Sequence, residues 1–408
     1  DLWRLLAEEC LDAGFGCDAL SIGHNSNLAN GNYYRPYYDG ATTEAEEREA
    51  AELRMRLEPL VEIFQHKGDA ECRNGLSGHN GAPDPQCDFE KQRPWDDPDC
   101  GDDVGVGGMR LGGCVSRYDF VRNVLKAGLA EEERIGFNPY RLGIVANTDT
   151  HNGTAGYVKE HDFHGHVGSV DNTPMKRLGD GNLTHDTLVN NPGGLTGVWA
   201  EERSRDRIFD ALQRREVFGT SGPRIPVRLF GGWSYEDGLC QDPEWVKRGY
   251  GDGVPMGATL PRAPGSATAP RFLVWAEADL GSQAHPGAPL QRIQIIKGWL
   301  DADGEVYERV YEVAGDPDNG ATVDASTCEP VGAGFDELCA VWTDPDFDPS
   351  QRAFYYARVL ENPTCRWSTW DCIRMPVDQR PPNCVDPPEP VRPVIQERAW
   401  STPIWYAP

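Results

Sequence analysis

The order of helix and strand patterns most limits the folds open to this chain of 408 residues. In the first 220 residues, segments rich in helix-forming residues alternate with short apolar runs. Strands separated by helices favour a parallel sheet with right-handed crossovers. The predicted helices cover 2–10, 44–57, the segment from Ser116 to the GFNP stop at 136–139, and 204–216; the predicted strands cover 17–23, 58–64 and 141–147.

The pattern changes near Pro223. From there, β-rich runs alternate with Pro, Gly and Asp: RFLVWAEADL, QRIQIIKGWL, EVYERVYEV, AFYYARVLE and STPIWYAP. Short apolar runs bounded by turn residues are typical of an antiparallel sheet or a sandwich. We therefore predict two domains, an α/β domain over residues 1–223 and a smaller β-rich, sandwich-like domain over residues 224–408.

The chain contains twelve cysteines and no C-x-x-C, which argues against a zinc ribbon. An even count in polar, loop-like surroundings favours disulfides and an oxidising compartment, so we expect a periplasmic or secreted protein. A cytosolic protein with scattered free thiols is the alternative. Sequence alone does not fix the connectivity, but these neighbours are plausible pairs: Cys72–Cys87, Cys100–Cys114, Cys328–Cys339 and Cys365–Cys372.

The formal charge of −26 argues against nucleic acid as a partner, because a nucleic-acid binder needs a positive surface to displace counterions. No apolar run approaches the roughly 20 residues that a membrane helix needs. The chain opens at Asp1 without a methionine. We therefore expect either that a leader has been removed or that the chain is part of a longer polypeptide.

Three predicted strands of the first part carry groups that bind metal ions. His24 follows the first strand, Glu62 lies within the second, and Asp149 and His151 follow the third as a D-x-H. In α/β barrels the loops after the carboxyl ends of the strands converge on one face. Imidazole and carboxylate together suit zinc, iron or manganese. Taken singly, each residue is compatible with a hydrogen-bonded loop position, which is the favoured interpretation of a lone histidine, so it is their shared placement that predicts a metal site.

Five segments of the sequence resemble one family. They are GHNSNLANG (23–31), EPLVEIFQHKGDAEC (58–72), NTDTHNGTAG (147–156), GGLTGVWAEERSRDRIFDALQRREVFGTSGPRI (193–225) and ERAWSTPIWY (397–406). These segments look like an uncharacterised bacterial domain-of-unknown-function family. That family is similar to the polymerase and histidinol phosphatase (PHP) metallohydrolases and to carbaryl-hydrolase-like enzymes.

The resemblance implies a distorted (β/α)7 barrel with two or three divalent metal ions (Zn, Mn or Fe), which activate water to attack an ester. By the same resemblance, His24, Asp149 and His151 are metal ligands. Glu62 is a further catalytic group or lies behind the ligands.

The sequence departs from the family pattern at its start. The H-x-H, the T-D-H and the further ligands that open the family's barrel do not occur ahead of His24. We therefore expect this chain to hold the C-terminal part of the barrel. The missing strands would come from the same precursor or from another chain, because a half-barrel exposes sheet edges that native proteins avoid. We expect the chain to need that part for activity, and an oligomer is compatible with the sequence.

Two basic groups follow the second strand. His66 and Lys67 could neutralise an anionic substrate, as positive groups do in phosphoryl chemistry, or they could lie on the surface. The H-x-H of His164, Gly165 and His166 lies in a polar loop, where a substrate-facing or solvated role is favoured over a substitute metal pair.

Taken together, the sequence predicts a metal-dependent hydrolase of small-molecule phosphate monoesters or diesters. The alternatives are hydrolysis of carboxylesters, carbamates or sulfate esters, and a catalytically inactive, disulfide-stapled binding or structural protein.

Overall fold

A computed structural model describes residues 2–78, 80–106, 113–179, 187–265 and 269–408. Its helices are short apart from two of 14 and 15 residues. A single π-helical turn, Ala7–Leu11, directly follows the short N-terminal helix Leu2–Leu6. The helices are α1 (Leu2–Leu6), α2 (Glu44–Leu57), α3 (Val121–Ile135), α4 (Pro174–Leu178), α5 (Arg205–Gln213), α6 (Trp245–Gly251) and α7 (Trp367–Arg374).

A small sheet carries the parallel strands of the first part. It contains β1 (Ile22–Gly23), β2 (Leu60–Gln65), β3 (Gly68–Asp69) and β4 (Gly143–Ala146). The central strand β2 pairs in parallel with β1 on one side and with β4 on the other, while β3 turns back on it as a hairpin. The carboxyl ends of β1, β2 and β4 therefore lie at one edge of the sheet, with the loops that follow them side by side.

Two larger antiparallel sheets face each other. Their strands are β5 (Leu195–Val198), β6 (Val217–Thr220), β7 (Val227–Gly232), β8 (Gly253–Pro255), β9 (Arg271–Glu277), β10 (Leu290–Leu300), β11 (Val306–Gly315), β14 (Glu337–Thr343), β15 (Ala353–Glu361), β18 (Arg398–Ser401) and β19 (Ile404–Tyr406). One sheet has the order β11-β10-β15-β18-β6-β5, with β19 also pairing with β15, and the other has the order β14-β9-β7-β8. Two small ladders remain, β12 (Thr322–Asp324) with β13 (Glu329–Val331) and β16 (Thr364–Cys365) with β17 (Val394–Ile395).

The alternation of side chains along β15 explains how the seven-stranded sheet fills two cores. Tyr355 and Val359 point into the core shared with the four-stranded sheet. Phe354 and Tyr356 point to the opposite face, where they pack with the apolar stripe of α3 and with residues of β2 and β4. Successive strand residues point to opposite faces, and every residue of β15 is buried, so this strand is covered on both sides.

The seven-stranded sheet also covers one edge of the parallel sheet. The Thr402 hydroxyl accepts from the backbone N–H of Ile144, and the Thr196 hydroxyl donates to the carbonyl of Ala146. Gly219 lies against Ala146, where an added Cβ would come within 3.0 Å of the alanine Cβ. The outer edge of β4 is thus bonded by threonine side chains rather than left open.

The predicted boundary at residue 223 does not separate two sheets. Strands β5 and β6 precede it, yet β6 pairs with β18 near the end of the chain. Whether residues 1–223 and 224–408 are independent domains stays a prediction. No sheet among the described residues closes into a barrel, and the relation to a (β/α)7 barrel, with its missing strands, also stays a prediction.

All twelve cysteines are paired in six disulfides. The predicted pairs Cys72–Cys87 and Cys100–Cys114 are confirmed. The predicted pairs Cys328–Cys339 and Cys365–Cys372 are wrong, because closeness in sequence did not reflect closeness in the fold. These cysteines bond instead as Cys240–Cys339, Cys328–Cys365 and Cys372–Cys384, and the sixth pair is Cys10–Cys17.

Six disulfides are compatible with an extracellular or periplasmic protein. Within the described ranges, none of the helices is both long enough and apolar enough to cross a membrane.

Candidate metal centre

The loops after the three parallel strands bring their polar residues to one place. His24 follows β1, His66 and Lys67 follow β2, and Asp149 and His151 follow β4. Backbone pairing continues past the strand ends, since the His66 N–H donates to the carbonyl of Thr148. The structure therefore brings together all three residues that the sequence predicted as metal ligands.

Asp149 lies at the middle of this cluster. Its Oδ2 is 3.2 Å from His66 Nε2 and 3.8 Å from His24 Nε2, and its Oδ1 is 3.6 Å from His151 Nε2. The backbone of Asp149 has a φ of +49°, in the left-handed region that aspartate tolerates better than most residues. This turn ends the strand and places the carboxylate among the three imidazoles.

Two further groups contact the same carboxylate. Gln65, the last residue of β2, donates from Nε2 to Asp149 Oδ2 at 2.8 Å. The Lys67 ammonium makes a close ion pair with that oxygen and lies 3.3 Å from Gln65 Oε1. Asp149 Oδ2 is therefore the point on which the strand-end groups converge.

The three imidazoles differ in exposure. The side chains of His24 and His151 are 57% and 60% exposed, so they border solvent. His24 Nδ1 lies 2.9 Å from the carbonyl of Asn25, and its Nε2 lies 3.4 Å from Gln65 Nε2; with the proton on Nδ1, the lone pair of Nε2 faces the groups around Asp149. The cluster is thus open to a small molecule on one side.

His66 forms the buried side of the cluster, with 4% of the residue exposed. Neither of its ring nitrogens makes a well-aligned hydrogen bond among the described residues. Burial lowers the pKa of His66 to about 4, against the contact with Asp149, which acts to raise it. The imidazole is therefore neutral near pH 7, with a lone pair available for a cation.

Opposing effects act on Asp149. Burial tends to raise the pKa of its carboxyl group, but the hydrogen bonds and charges of His66 and Lys67 outweigh burial and hold the pKa well below its usual range. Asp149 is consequently ionised near neutral pH, as a metal ligand must be.

Glu62 lies behind the cluster rather than in it. Its carboxylate accepts from the backbone N–H of Asn25 and from the side chain of Asn147, both at 2.9 Å. Asn25 is the neighbour of His24, and Asn147 leads from β4 to Asp149. Glu62 therefore ties together the turns that carry the predicted ligands, and the structure shows no direct contact between Glu62 and Asp149.

A family model described as a protein of unknown function (DUF3604) matches residues 1–408. The chain belongs to the DUF3604 family. No curated protein and no solved structure matches it. The finer resemblance to PHP and carbaryl-hydrolase-like enzymes stays a prediction.

The H-x-H of this DUF3604 chain divides between two environments. His164 is exposed, stacks on Tyr157 and lies 3.1 Å from Asp162. His166 is buried, and its ring stacks on His66 with centroids 4.2 Å apart. The expectation of a solvated loop is wrong for His166, because the loop folds back onto the cluster, and the substrate-facing alternative stays a prediction.

Gln65 and His166 were not predicted from the sequence to lie at this cluster. Gln65 had a signal, since it directly follows the predicted strand 58–64 and precedes His66. His166 had only the H-x-H pattern, which does not reveal that its ring stacks on a residue 100 positions earlier.

The donor set of the DUF3604 cluster fits a divalent cation. One ligand atom from each of His66, Asp149 and His151 lies within 4.8 Å of the other two. Two imidazoles and a carboxylate suit zinc, iron or manganese, and among the described residues the buried Nδ1 of His66 lacks the partner that a buried polar atom ordinarily has. His24 offers a further imidazole on the open side.

Proposed function

We propose that this chain is a divalent-metal-dependent hydrolase of ester bonds, with phosphate monoesters or diesters as the leading substrate class. The observation that carries the proposal is the convergence of imidazoles and one carboxylate from the ends of three parallel strands. It is supported by the buried imidazole of His66, whose nitrogens have no well-aligned partner in the described part of the chain. The likeness to PHP metallohydrolases is part of this proposal.

Each residue has a distinct task in it. His66, Asp149 and His151 would hold the cation, and His24 would complete the set from the solvent side. When bound, one or more such ions supply an activated water molecule and polarise the oxygen of the ester. Glu62 keeps the ligand-bearing turns in place through Asn25 and Asn147, which is the way that groups behind a metal site tune it.

The local positive charge of Lys67 favours an anionic substrate at the cluster, in contrast to the charge of the chain as a whole. The chain as a whole carries a formal charge of −26, which repels anions. Lys67 places a positive charge directly at the cluster, where it can pair with a phosphate oxygen once a metal ion has taken over Asp149. Carboxylesters, carbamates and sulfate esters are the other substrate classes, and a screen across all of them separates these cases.

The test uses the full-length protein with its disulfides formed. Metal content is measured after incubation with Zn²⁺ or Mn²⁺ and gel filtration, and activity is measured on aryl phosphate, diaryl phosphate, aryl acetate, aryl carbamate and aryl sulfate. Asp149→Asn should reduce metal content and lower kcat/KM on the order of 100-fold or more, because even groups behind a metal site are worth 10- to 100-fold. Asp162→Asn, an exposed carboxylate 13 positions further on, is the matched control and should behave as the wild type.

Full activity in the Asp149→Asn variant would contradict the proposed metal site. A wild-type protein that binds no metal ion and cleaves none of these esters would instead support the inactive, disulfide-stapled binding or structural protein. We place the protein in the periplasm or outside the cell as part of the same proposal, since six disulfides require an oxidising compartment to form and persist.

A further inference from the structure

His166 occupies an unusual position beside the candidate metal centre. It is 2% exposed, and its ring stacks on His66 with an angle of 26° between the two planes. The lone pairs of two stacked rings lie in two near-parallel planes that do not meet near the rings, so the two imidazoles do not converge on a single ion. His166 contacts His66, a candidate ligand in the structure, through the face of its ring and not through a nitrogen.

His66 needs an orienting contact of this kind. A metal-binding imidazole is ordinarily held by a hydrogen bond from its second ring nitrogen. In the described part of the chain, His66 has no such bond. Its backbone is fixed by Thr148 and Asn191, and the stacked ring of His166 restricts the remaining rotation of the side chain.

His166 is itself held on both sides. Its Nδ1 lies 3.0 Å from Asp171 Oδ2, and the same carboxylate accepts from the backbone N–H groups of His166 and Val167. Its Nε2 lies 3.4 Å from the side-chain nitrogen of Asn190. Gly165 makes the approach of Asp171 feasible, because an added Cβ at that residue would lie 2.5 Å from the carboxylate.

The same residue also contacts His151, one of the ligands predicted from the sequence. The carbonyl of His166 accepts from the backbone N–H of His151 at 2.6 Å. One loop residue therefore contacts two of the three residues in the cluster, the first through its ring and the second through its backbone. These two contacts come from a segment that carries none of the predicted ligands.

We propose that His166, held by Asp171, is a positioning residue that sets the orientation of His66 for metal binding. This inference rests on the proposed metal site and adds to it a pair of residues that do not touch the ion. The flat face of the His166 ring provides the effect, and Asp171 holds the segment through the backbone N–H groups of His166 and Val167, which a phenylalanine variant retains.

Two measurements test this proposal. The first is the Zn²⁺ affinity, determined by competition with a chromophoric chelator, and the second is the visible absorption spectrum of the Co²⁺-loaded protein. His166→Leu keeps the volume but lacks a flat face, and it should weaken Zn²⁺ binding by about 10- to 100-fold and change the Co²⁺ spectrum. His166→Phe restores a flat face of similar size and should recover most of the affinity. His164→Leu, at the exposed histidine of the same H-x-H, is the matched control and should bind as the wild type.

The outcomes distinguish failure of the positioning role of His166 from failure of the metal site. Zn²⁺ binding by His166→Leu equal to that of the wild type would overturn the positioning role and leave the metal site intact. Weak binding by His166→Phe would overturn it as well, since it would show that a nitrogen of His166 is required. A wild type that binds no Zn²⁺ would remove the metal site and this inference together. If His166→Leu does not fold, His166→Phe and Asp171→Asn carry the test, and Asp171→Asn should weaken Zn²⁺ binding without changing its stoichiometry.

Discussion

At the scale of single residues, Lys67 can affect both the binding of the metal ion and the binding of the substrate. Its ammonium group pairs with Asp149 Oδ2, the oxygen that also lies nearest to His66. The backbone of Lys67 is fixed by Gln65 and Asn27, but its side chain is long, flexible and 21% exposed. A divalent ion and the ammonium would therefore compete for one carboxylate oxygen, and the displaced ammonium would remain within reach of an anionic substrate.

We expect Lys67→Met to bind Zn²⁺ more tightly and to hydrolyse phosphate esters more slowly. Removing the competing cation should raise Zn²⁺ affinity by about threefold to fivefold, in line with up to about 1 kcal/mol for a partly exposed ion pair. At saturating Zn²⁺, kcat/KM for aryl phosphate should fall because the substrate loses a positive partner. Calorimetric titration and steady-state kinetics measure the two effects. Lys247→Met, at an exposed lysine paired with Glu244, should change neither, and a weaker Zn²⁺ affinity in Lys67→Met would contradict the competition.

The metal ligands predicted from the sequence all lie just after parallel strands, and this position can be predicted from the sequence pattern. His24, Asp149 and His151 follow apolar runs of strand type, and parallel strands present their carboxyl ends at one edge. His166 could not be found in this way, because its role depends on a loop that folds back over the cluster. Periodicity describes strands and helices but gives no information about the path of such a loop.

At the scale of elements, a high content of helix-forming residues was the most informative signal. It predicted α2 at 44–57, where the structure adds a capping box of Thr43 and Glu46. The predicted helix start at Ser116 was less accurate, because Ser116 caps a short 3-10 turn and α3 begins at Val121. The predicted strand 17–23 was less accurate: only Ile22 and Gly23 pair with β2, and Cys17 bonds instead to Cys10. An apolar run becomes a strand only where a partner lies beside it, and the sequence does not show how far the partner extends.

The turn that leads into α3 contains a buried acid. Asp119 accepts from the backbone N–H groups of Ser116 and Gly31 at 3.0 and 2.6 Å. Burial raises the pKa of Asp119 to about 6, and these hydrogen bonds only partly oppose the rise. The folded state therefore keeps a proton on Asp119 between about pH 4 and 6, where the unfolded chain has released it.

We expect Asp119→Asn to remove a pH-dependent part of the free energy of unfolding. Because the folded state binds more protons in this window, the contribution of Asp119 to stability is largest below about pH 4, falls as the pH rises to about 6, and is constant above that. The stability of the wild type relative to Asp119→Asn should fall by about 3 kcal/mol across the window, at about 1.4 kcal/mol for each pKa unit. Urea unfolding at pH 4, 5, 6 and 7 measures this difference. A difference that stays flat, or grows with pH, would contradict the raised pKa.

At the scale of the whole molecule, a buried charge network joins segments that are far apart in sequence. Glu71 accepts from Arg122 at 2.6 Å, from Arg358 at 3.0 Å and from the indole of Trp400 at 2.7 Å. Asp84 accepts from the same two arginines, each at 2.9 Å. The network therefore ties the segment after the parallel sheet to α3 and to the seven-stranded sheet, across the predicted boundary at residue 223. No local pattern could predict it, since Glu71 and Trp400 are 329 positions apart.

We expect Glu71→Gln to destabilise the molecule as one unit. Burial acts to raise the pKa of Glu71, but Arg358 and Arg122 outweigh it and hold the pKa well below the usual range, so the carboxylate is charged in the folded state. Neutralising it leaves two buried guanidinium groups short of a counter-charge, which costs about 3–5 kcal/mol when a buried pair is broken.

Glu52→Gln removes an exposed partner of Arg48 and should cost less than about 0.5 kcal/mol. In guanidinium unfolding followed by tryptophan fluorescence and far-UV circular dichroism, both signals should shift together to lower denaturant in Glu71→Gln. A shift of one signal alone would show that the network does not join the parts of the molecule on either side of residue 223 into a single cooperative unit.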